Sequence, residues 1–294
     1  MPTLAETRCT GVFVGLSAVD ITYMVDELPR RNQKISVPRQ RIGAGGPSLN
    51  AAVTFAQLGG RATLVSAVGS NSLAQVIRED LKRYGVKLDD VAQEHTEPPP
   101  LSSIMVLHRT GERSVVSANA AAFSGVPEKV DLRVIRSAAI LQVDGHFMPM
   151  CIAAASMAQE HNVPVVLDSG SWKPGMSKLL RFVDIVICSD DFRPPGCSSR
   201  EEVFGYLKKH GISQIAITRG ASSILFVDNG KRGNVPVKRV RAKDTLGAGD
   251  IFHGAFCFYK ATGAGFREAL RAAARVASLS CRYVGTRSWI EFLN

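Results

Sequence analysis

From residue 12 onward, short apolar runs alternate with stretches of helical period, which predicts β-α-β units around a mostly parallel sheet. Val12-Phe13-Val14, ending at Gly15, is the first strand. Residues 47–58 read as a helix, with Leu49, Ala52, Val53 and Ala56 on one face and Gly59-Gly60 as its stop. A buried strand is expected at 62–67. Next comes a helix with an apolar stripe of Leu73, Val76, Ile77 and Leu81, Ser72 at its N-cap and Gly85 closing it. Further strands are expected at 139–143, 163–167, 184–188 and 214–218, with helices near 150–161 and 199–210 between them. That repeat is the pattern of a doubly wound sheet. Residues 266–283 form a last helix, with Leu270, Ala273, Ala277 and Cys281 inward and Arg267, Arg271 and Arg275 outward at i, i+4.

Two stretches break the rhythm. Residues 20–41 and 102–117 read as antiparallel hairpins, the second turning at Arg109-Thr110-Gly111-Glu112. Beside the main sheet they would make a small lid over the strand ends where open α/β sheets bind ligands. Asp228-Asn229-Gly230-Lys231 marks one more hairpin turn.

The 294 residues, 45% of them hydrophobic, are ample for a buried core and exclude a disordered chain. The organisation expected is one domain over 1–294, with the lid from about 20–42 and 100–118. No apolar run approaches the ~18 residues of a membrane span, and Met1 to Glu6 lacks the pattern of a secretory leader. A cytoplasmic location is therefore expected, with no membrane partner. The six cysteines lie far apart without C-x-x-C spacing and read as reduced, small hydrophobes. A net charge of +10 would suit nucleic acid, an anionic membrane or an anionic small substrate. The basic residues are scattered and not interleaved with aromatics, so a solvated surface and no nucleic-acid partner is the reading.

The densest chemical signal is Asp244-Thr245-Leu246-Gly247-Ala248-Gly249-Asp250, running into an apolar helix at 251–259. Glycines beside small residues let the backbone approach a ligand, and the N–H groups opening a helix favour an anion. A carboxylate in that first turn repels the anion unless it accepts a proton in the reaction, which suggests phosphoryl transfer with Asp250 as base. The alternative is a first-turn acid that merely stabilises its helix by ~0.3–1 kcal/mol. A second glycine cluster, Gly43-Ala44-Gly45-Gly46-Pro47-Ser48-Leu49-Asn50, also precedes a helix. It is not a dinucleotide fingerprint, since Ser48 stands at the third glycine, and no G-x-x-x-x-G-K-[ST] occurs in the chain. Asn50 either offers a donor and an acceptor to a polyol or is a buried capping amide.

The chain resembles the PfkB, or ribokinase-like, carbohydrate kinases over nearly its whole length. Asp244-Thr245-x-Gly247-Ala248-Gly249-Asp250-x-Phe252-x-Gly254-Ala255-Phe256 is similar to the family's C-terminal signature, and Gly45-Gly46 with Asn50-Ala51-Ala52 to its N-terminal one. The resemblance implies a three-layer α/β/α fold with a β-sheet lid and ATP-dependent phosphorylation of a sugar hydroxyl with Mg²⁺. It implies Asp250 as base and Gly247, Ala248 and Gly249 as the anion hole. Asp20, Gly45, Gly46 and Asn50 become sugar contacts, with Asp144, after a strand, as a further candidate. Thr218-Arg219-Gly220 resembles the family's nucleotide segment, with Arg219 read as solvated. Ser189, Thr218, Gly220, Thr245, Ala274 and Ala277 are the nucleotide-side residues. The family often binds a monovalent cation, K⁺, which would fall between Asp244 and Gly285. The exposed edges of the lid predict a homodimer.

Departures from the pattern narrow the reading. Where most members carry Asn-x-x-Glu for Mg²⁺ and phosphate, this chain has Ser189-Asp190-Asp191-Phe192. Ketohexokinases are similar there and at Leu246. The sulfofructose-kinase branch is similar in His253, in Gly111-Glu112-Arg113 and in Cys281-Arg282. His146 stands where that branch would need an arginine, which points away from a sulfonate and toward a ketose or related sugar. For His253 itself, packing within its helix is the expected role.

Overall fold

The computed structural model describes residues 9–120 and 130–293. Met1 to Glu6, where no leader pattern was read, lie outside the described residues. Among the described residues two sheets form, one of nine strands and one of four. The large sheet opens with β1 (Thr10–Val14), whose side chains alternate between two cores: Phe13 packs into one, Val12 and Val14 into the other. One core lies under α1 (Pro47–Gln57), α2 (Ala74–Arg83), α6 (Ala248–Ala261) and α7 (Phe266–Ser280). The other lies under α3 (Met148–Glu160), α4 (Met176–Leu179) and α5 (Arg200–Lys209). A sheet buried on both faces explains why its strands read as unbroken apolar runs.

On one side of β1 the chain places β4 (Arg61–Ser66) and β5 (Lys87–Asp90), and on the other β8 (Ile140–Val143), β9 (Val165–Ser169), β10 (Ile185–Ser189) and β11 (Gln214–Arg219), all parallel. Strand order therefore reverses between β1 and β8, where such sheets open a crevice for ligands. The antiparallel hairpin of β12 (Ser222–Asp228) and β13 (Lys231–Val235) closes the far edge, turning at Asn229-Gly230 as expected.

The small sheet is built from β2 (Ala18–Val25), β3 (Gln40–Gly45), β6 (Leu101–Leu107) and β7 (Arg113–Ser117) in the order β3-β2-β6-β7. Its hairpins, β2 with β3 and β6 with β7, are antiparallel as the sequence suggests. What the sequence does not suggest is their parallel junction, β2 on β6, which sets Asp20 opposite Ser102.

Two local expectations are corrected. Ser72 does not cap α2: the helix starts two residues later, and the Asn71 side chain accepts from Leu73 N at 3.0 Å instead. β9 starts at Val165 rather than 163, because Pro164 has no N–H to give the ladder. α1 and α6 cross closely at Gly254, where an added Cβ would lie 2.2 Å from the Ala51 carbonyl oxygen. That missing methyl lets the two helices that carry the candidate site touch.

Candidate active site

α6 opens on Gly247, whose φ of +68° is a conformation that favours glycine, and no side chain caps the helix. Ala248 N closes the preceding turn by donating to Thr245 O at 3.3 Å, which leaves the N–H groups of Gly247 and Gly249 at the helix start, with the positive end of the dipole behind them. Open space lies off Gly249. Asp250 follows in the first turn, and its Oδ2 accepts from Asn50 Nδ2 at 2.7 Å. Burial pushes the Asp250 carboxyl up to about 7; nearby Asp168 adds to the rise, while Asn50, His253 and Arg113 oppose it. Asn50 itself is 2% exposed. Its amide is the handle of a chain that continues through Arg287 Nη1, 2.8 Å from Asn50 Oδ1.

Thr218, Gly220, Thr245, Ala248, Gly249, Ala274 and Ala277 line one cavity of about 390 Å³. The structure thereby gathers five of the six expected nucleotide-side residues and two of the anion-hole glycine-turn residues. Ser189 stands apart from that lining. It neighbours Thr218 across β10 and β11, but its hydroxyl donates to Gly170 O at 2.8 Å. Asp190 beside it is held by Arg200 at 2.6 and 2.7 Å. Arg113, from β7 of the small sheet, reaches the same cavity and donates to Thr245 O and Oγ1 at 2.9 and 2.8 Å.

A smaller cavity, about 150 Å³, lies on the other side, lined by Asp20, Thr22, Arg41, Asp80, Gly285 and Arg287 among others. Asp20 presses against Gly45, where a Cβ would fall on its carboxylate, and burial pushes Asp20 up to about 6 against the pull of Ser102 and Arg287. Gly46, at φ +100°, would meet Leu16 O with any Cβ. Gly45 and Gly46 are therefore demanded by close approach, whereas open space lies off Gly43 of the same cluster.

Asp144 serves the fold as a clip. It is 1% exposed, and its oxygens accept from Leu16 N, Ser48 N, Ser48 Oγ and His146 N. These bonds fasten β1, α1 and β8 together at the switch point. Arg219 is corrected: its guanidinium is half-buried and donates to Ser223 O at 2.9 and 2.7 Å. Asp244 and Gly285 do come together, through a direct 2.8 Å bond from Gly285 N to Asp244 Oδ2, while Asp244 Oδ1 accepts from Leu246 N. His253 packs as expected, with Nδ1 2.7 Å from Gly249 O and Nε2 3.2 Å from Ile187 O.

Three residues were missed. Asp168, at the C-terminal end of β9, lies 3.3 Å from His253 Nδ1, and burial raises its carboxyl. Its position after an apolar strand is the signal that would have found it. Arg287 and its partner Asp80 carry no sequence pattern.

The family profile described as pfkB family carbohydrate kinase matches residues 11–292. This chain belongs to that family. Ribokinase from Arabidopsis thaliana is 28% identical over 93% of this chain and 76% of its own length. The structure of Arabidopsis thaliana ribokinase complexed with ribose and ATP is similar at a TM-score of 0.79 and 26% identity, over 97% of this chain and 98% of that one. A putative ribokinase from Agrobacterium tumefaciens has the same fold, with a TM-score of 0.85 at 24% identity over 96% and 94%. As a pfkB kinase the chain is a phosphotransferase with an alcohol acceptor. The ribokinase-like α/β fold with its second small sheet is likewise as the sequence predicts. No helix among the described residues is long and apolar enough to cross a membrane.

Proposed function

We propose that the protein transfers the γ-phosphoryl group of ATP to a hydroxyl of a small sugar, with Asp250 as the general base. The observation that carries this reading is the place of Asp250: in the first turn of an uncapped helix, next to Gly249 of the larger cavity and linked through Asn50 to Arg287 of the smaller one. The acceptor hydroxyl gives its proton to Asp250 as its oxygen attacks the γ-phosphorus, and ADP leaves with the bridging oxygen. The N–H groups of Gly247, Ala248 and Gly249 stabilise the charge spread over the transferring group. Thr218, Gly220 and Thr245 flank the phosphates, and Ala274 and Ala277 offer small apolar contacts to the base. Asp20, Gly45, Gly46 and Asn50 orient the sugar.

Mg²⁺, bound together with ATP, would supply charge neutralisation at the phosphates. Among the described residues no group of three His, Cys, Asp or Glu gathers to hold it. The Ser189–Asp191 segment is the part of the chain that would approach the ion, leaving most of its coordination to phosphate and water oxygens, as suits Mg²⁺. Any K⁺ beside Asp244 and Gly285 would join a contact the chain already makes. Water is the competing acceptor, and closure of the small sheet over the site excludes it.

The ribokinase relatives favour a pentose acceptor, and the small size of the Asp20-side cavity favours a single sugar ring over a nucleoside. A ketose is the second sugar class to test. On the small sheet's two edge strands Ile42, Val115 and Val116 are exposed apolar residues, which supports a homodimer through the lid; a sedimentation profile containing only monomer would sink it.

Coupled ADP release over pentoses, ketoses, sugar phosphates and nucleosides, with wild type beside Asp250→Asn, tests the reading. Turnover on one sugar class that falls about 10²- to 10⁴-fold in the variant supports it. Turnover confined to adenosine or inosine would make it a nucleoside kinase. Sugar-induced thermal stabilisation with no ADP formed would make it a sugar-binding sensor.

A further inference from the structure

The residues 285–289 enter the site from the end of the chain, and two of their side chains touch its machinery. Thr286 lies over Gly247: a Cβ built on that glycine would be 2.7 Å from Thr286 Cγ2 and 3.4 Å from Asn50 Nδ2. Arg287 is the more telling of the two. Its Nη1 donates to Asn50 Oδ1 at 2.8 Å, while Nε and Nη2 fork onto the Asp80 carboxylate of α2 at 3.1 and 2.8 Å. The ion pair is largely buried, with side-chain exposures of 14% and 16%. The guanidinium also stands over the Tyr84 ring, 5.7 Å from its centroid. Trp289, fully buried, donates from Nε1 to Thr286 O and anchors the segment.

An asparagine amide has one acceptor and one donor end, and either can be turned toward a carboxylate. Only one choice suits Asp250: the NH₂ end donates to it, whereas the oxygen end would repel it. Arg287 decides the choice, because a guanidinium is donor-only and so compels Asn50 to present Oδ1 to it. Nδ2 is then aimed at Asp250 Oδ2. Asp80 in turn fixes the guanidinium plane, a task that needs the two-edged fork of arginine and not a point charge.

We propose that Arg287 is a positioning residue for phosphoryl transfer: held by Asp80, it sets the orientation of the Asn50 amide and, through it, the placement of the Asp250 carboxylate. The proposal rests on Asp250 being the base. It assigns no contact between Arg287 and the reacting atoms.

The test compares full-length wild type with Arg287→Lys, Arg287→Met and Asp80→Asn. Steady-state kinetics on the best acceptor is one readout. The second needs no turnover: carbon NMR titration of ¹³C-labelled aspartate, with the Asp250 signal assigned from Asp250→Asn. Asp250 is faced by Asn50 from α1, Asp168 from β9, Arg113 from β7 and His253 from its own helix, and none of the four is substituted in these variants. The expected result is a fall in kcat of about ten- to a hundredfold in both Arg287 variants with acceptor KM little changed. The Asp250 titration should move upward in both, and in the same direction but less in Asp80→Asn. Arg287→Lys keeps the charge and loses the fork, so a lysine variant indistinguishable from wild type would overturn positioning in favour of plain charge. A drop in melting temperature or a rise in KM, with kcat and the titration unmoved, would make the residue a structural pin and overturn the proposal equally. If wild type turns over nothing, the kinase reading fails while the titration still decides the role of Arg287. Should the Arg287 variants not fold, Asp80→Asn alone carries the same comparison.

Discussion

Asn50 and Asp250, two hundred residues apart in sequence, are joined by a 2.7 Å hydrogen bond at the crossing of α1 and α6. The bond is charge-assisted when Asp250 is ionised, and it opposes the burial that pushes the same carboxyl up to about 7. The two effects leave a carboxylate basic enough to take a hydroxyl proton near neutral pH.

The first prediction concerns rate against pH. A base works deprotonated, so kcat/KM should climb through an acidic limb with an apparent pKa near 7 and level off above it. An acidic limb near 4, or none down to pH 5, would show that Asp250 is not the titrating group.

Stability should run the other way. Asp250 goes from 3.8 to about 7 and Asp20 from 3.8 to about 6 on folding, so between about pH 4 and 7 the folded chain holds more protons than the unfolded one. Stability therefore declines as pH rises through that window. Asp250→Asn removes the buried charge, and its melting temperature should exceed that of wild type at pH 8 and converge with it below pH 4. A variant equally or less stable at pH 8 would contradict the desolvation argument.

Gly254→Ala should be costly. Its Cβ would fall 2.2 Å from Ala51 O, forcing α1 and α6 apart. We expect about 1–3 kcal/mol of destabilisation by denaturant titration, together with lost activity, because Asn50 and Asp250 ride on the separated helices. Gly205→Ala on α5 is the control: nothing lies within 4 Å of its Cβ, and the same methyl should be neutral or stabilising.

Arg113→Ala tests the small sheet. The guanidinium is the bond between β7 and Thr245, so its loss should lower kcat/KM for ATP about tenfold or more and raise ATP hydrolysis in the absence of sugar. Unchanged kinetics on both counts would remove the lid from the mechanism.

The strands and helices were legible because each is written in a local period, and the two glycine clusters because Gly45, Gly46 and Gly247 sit where close neighbours or a positive φ leave glycine little substitute. Boundaries slipped where several candidates compete: Ser70, Asn71 and Ser72 all suit a turn, and only the fold selects Asn71. The internal partners of Asp144 and Arg219 were hidden for a different reason. A carboxylate or guanidinium at a strand end looks the same in sequence whether it meets a ligand or the protein's own backbone. Arg287 lay beyond reach altogether, since its meaning depends on Asp80 and Asn50, each more than two hundred residues away.

The division of the interior into two cores has a practical side. Asn50, Asp250 and the Ala274–Ala277 wall all stand on helices of one face of the large sheet, whereas α3 and α5 on the opposite face carry none of them. The far face is a mounting plate: a dye, a surface tether or a fused reporter attached along the outer side of α3 or α5 leaves the helices of the other face untouched.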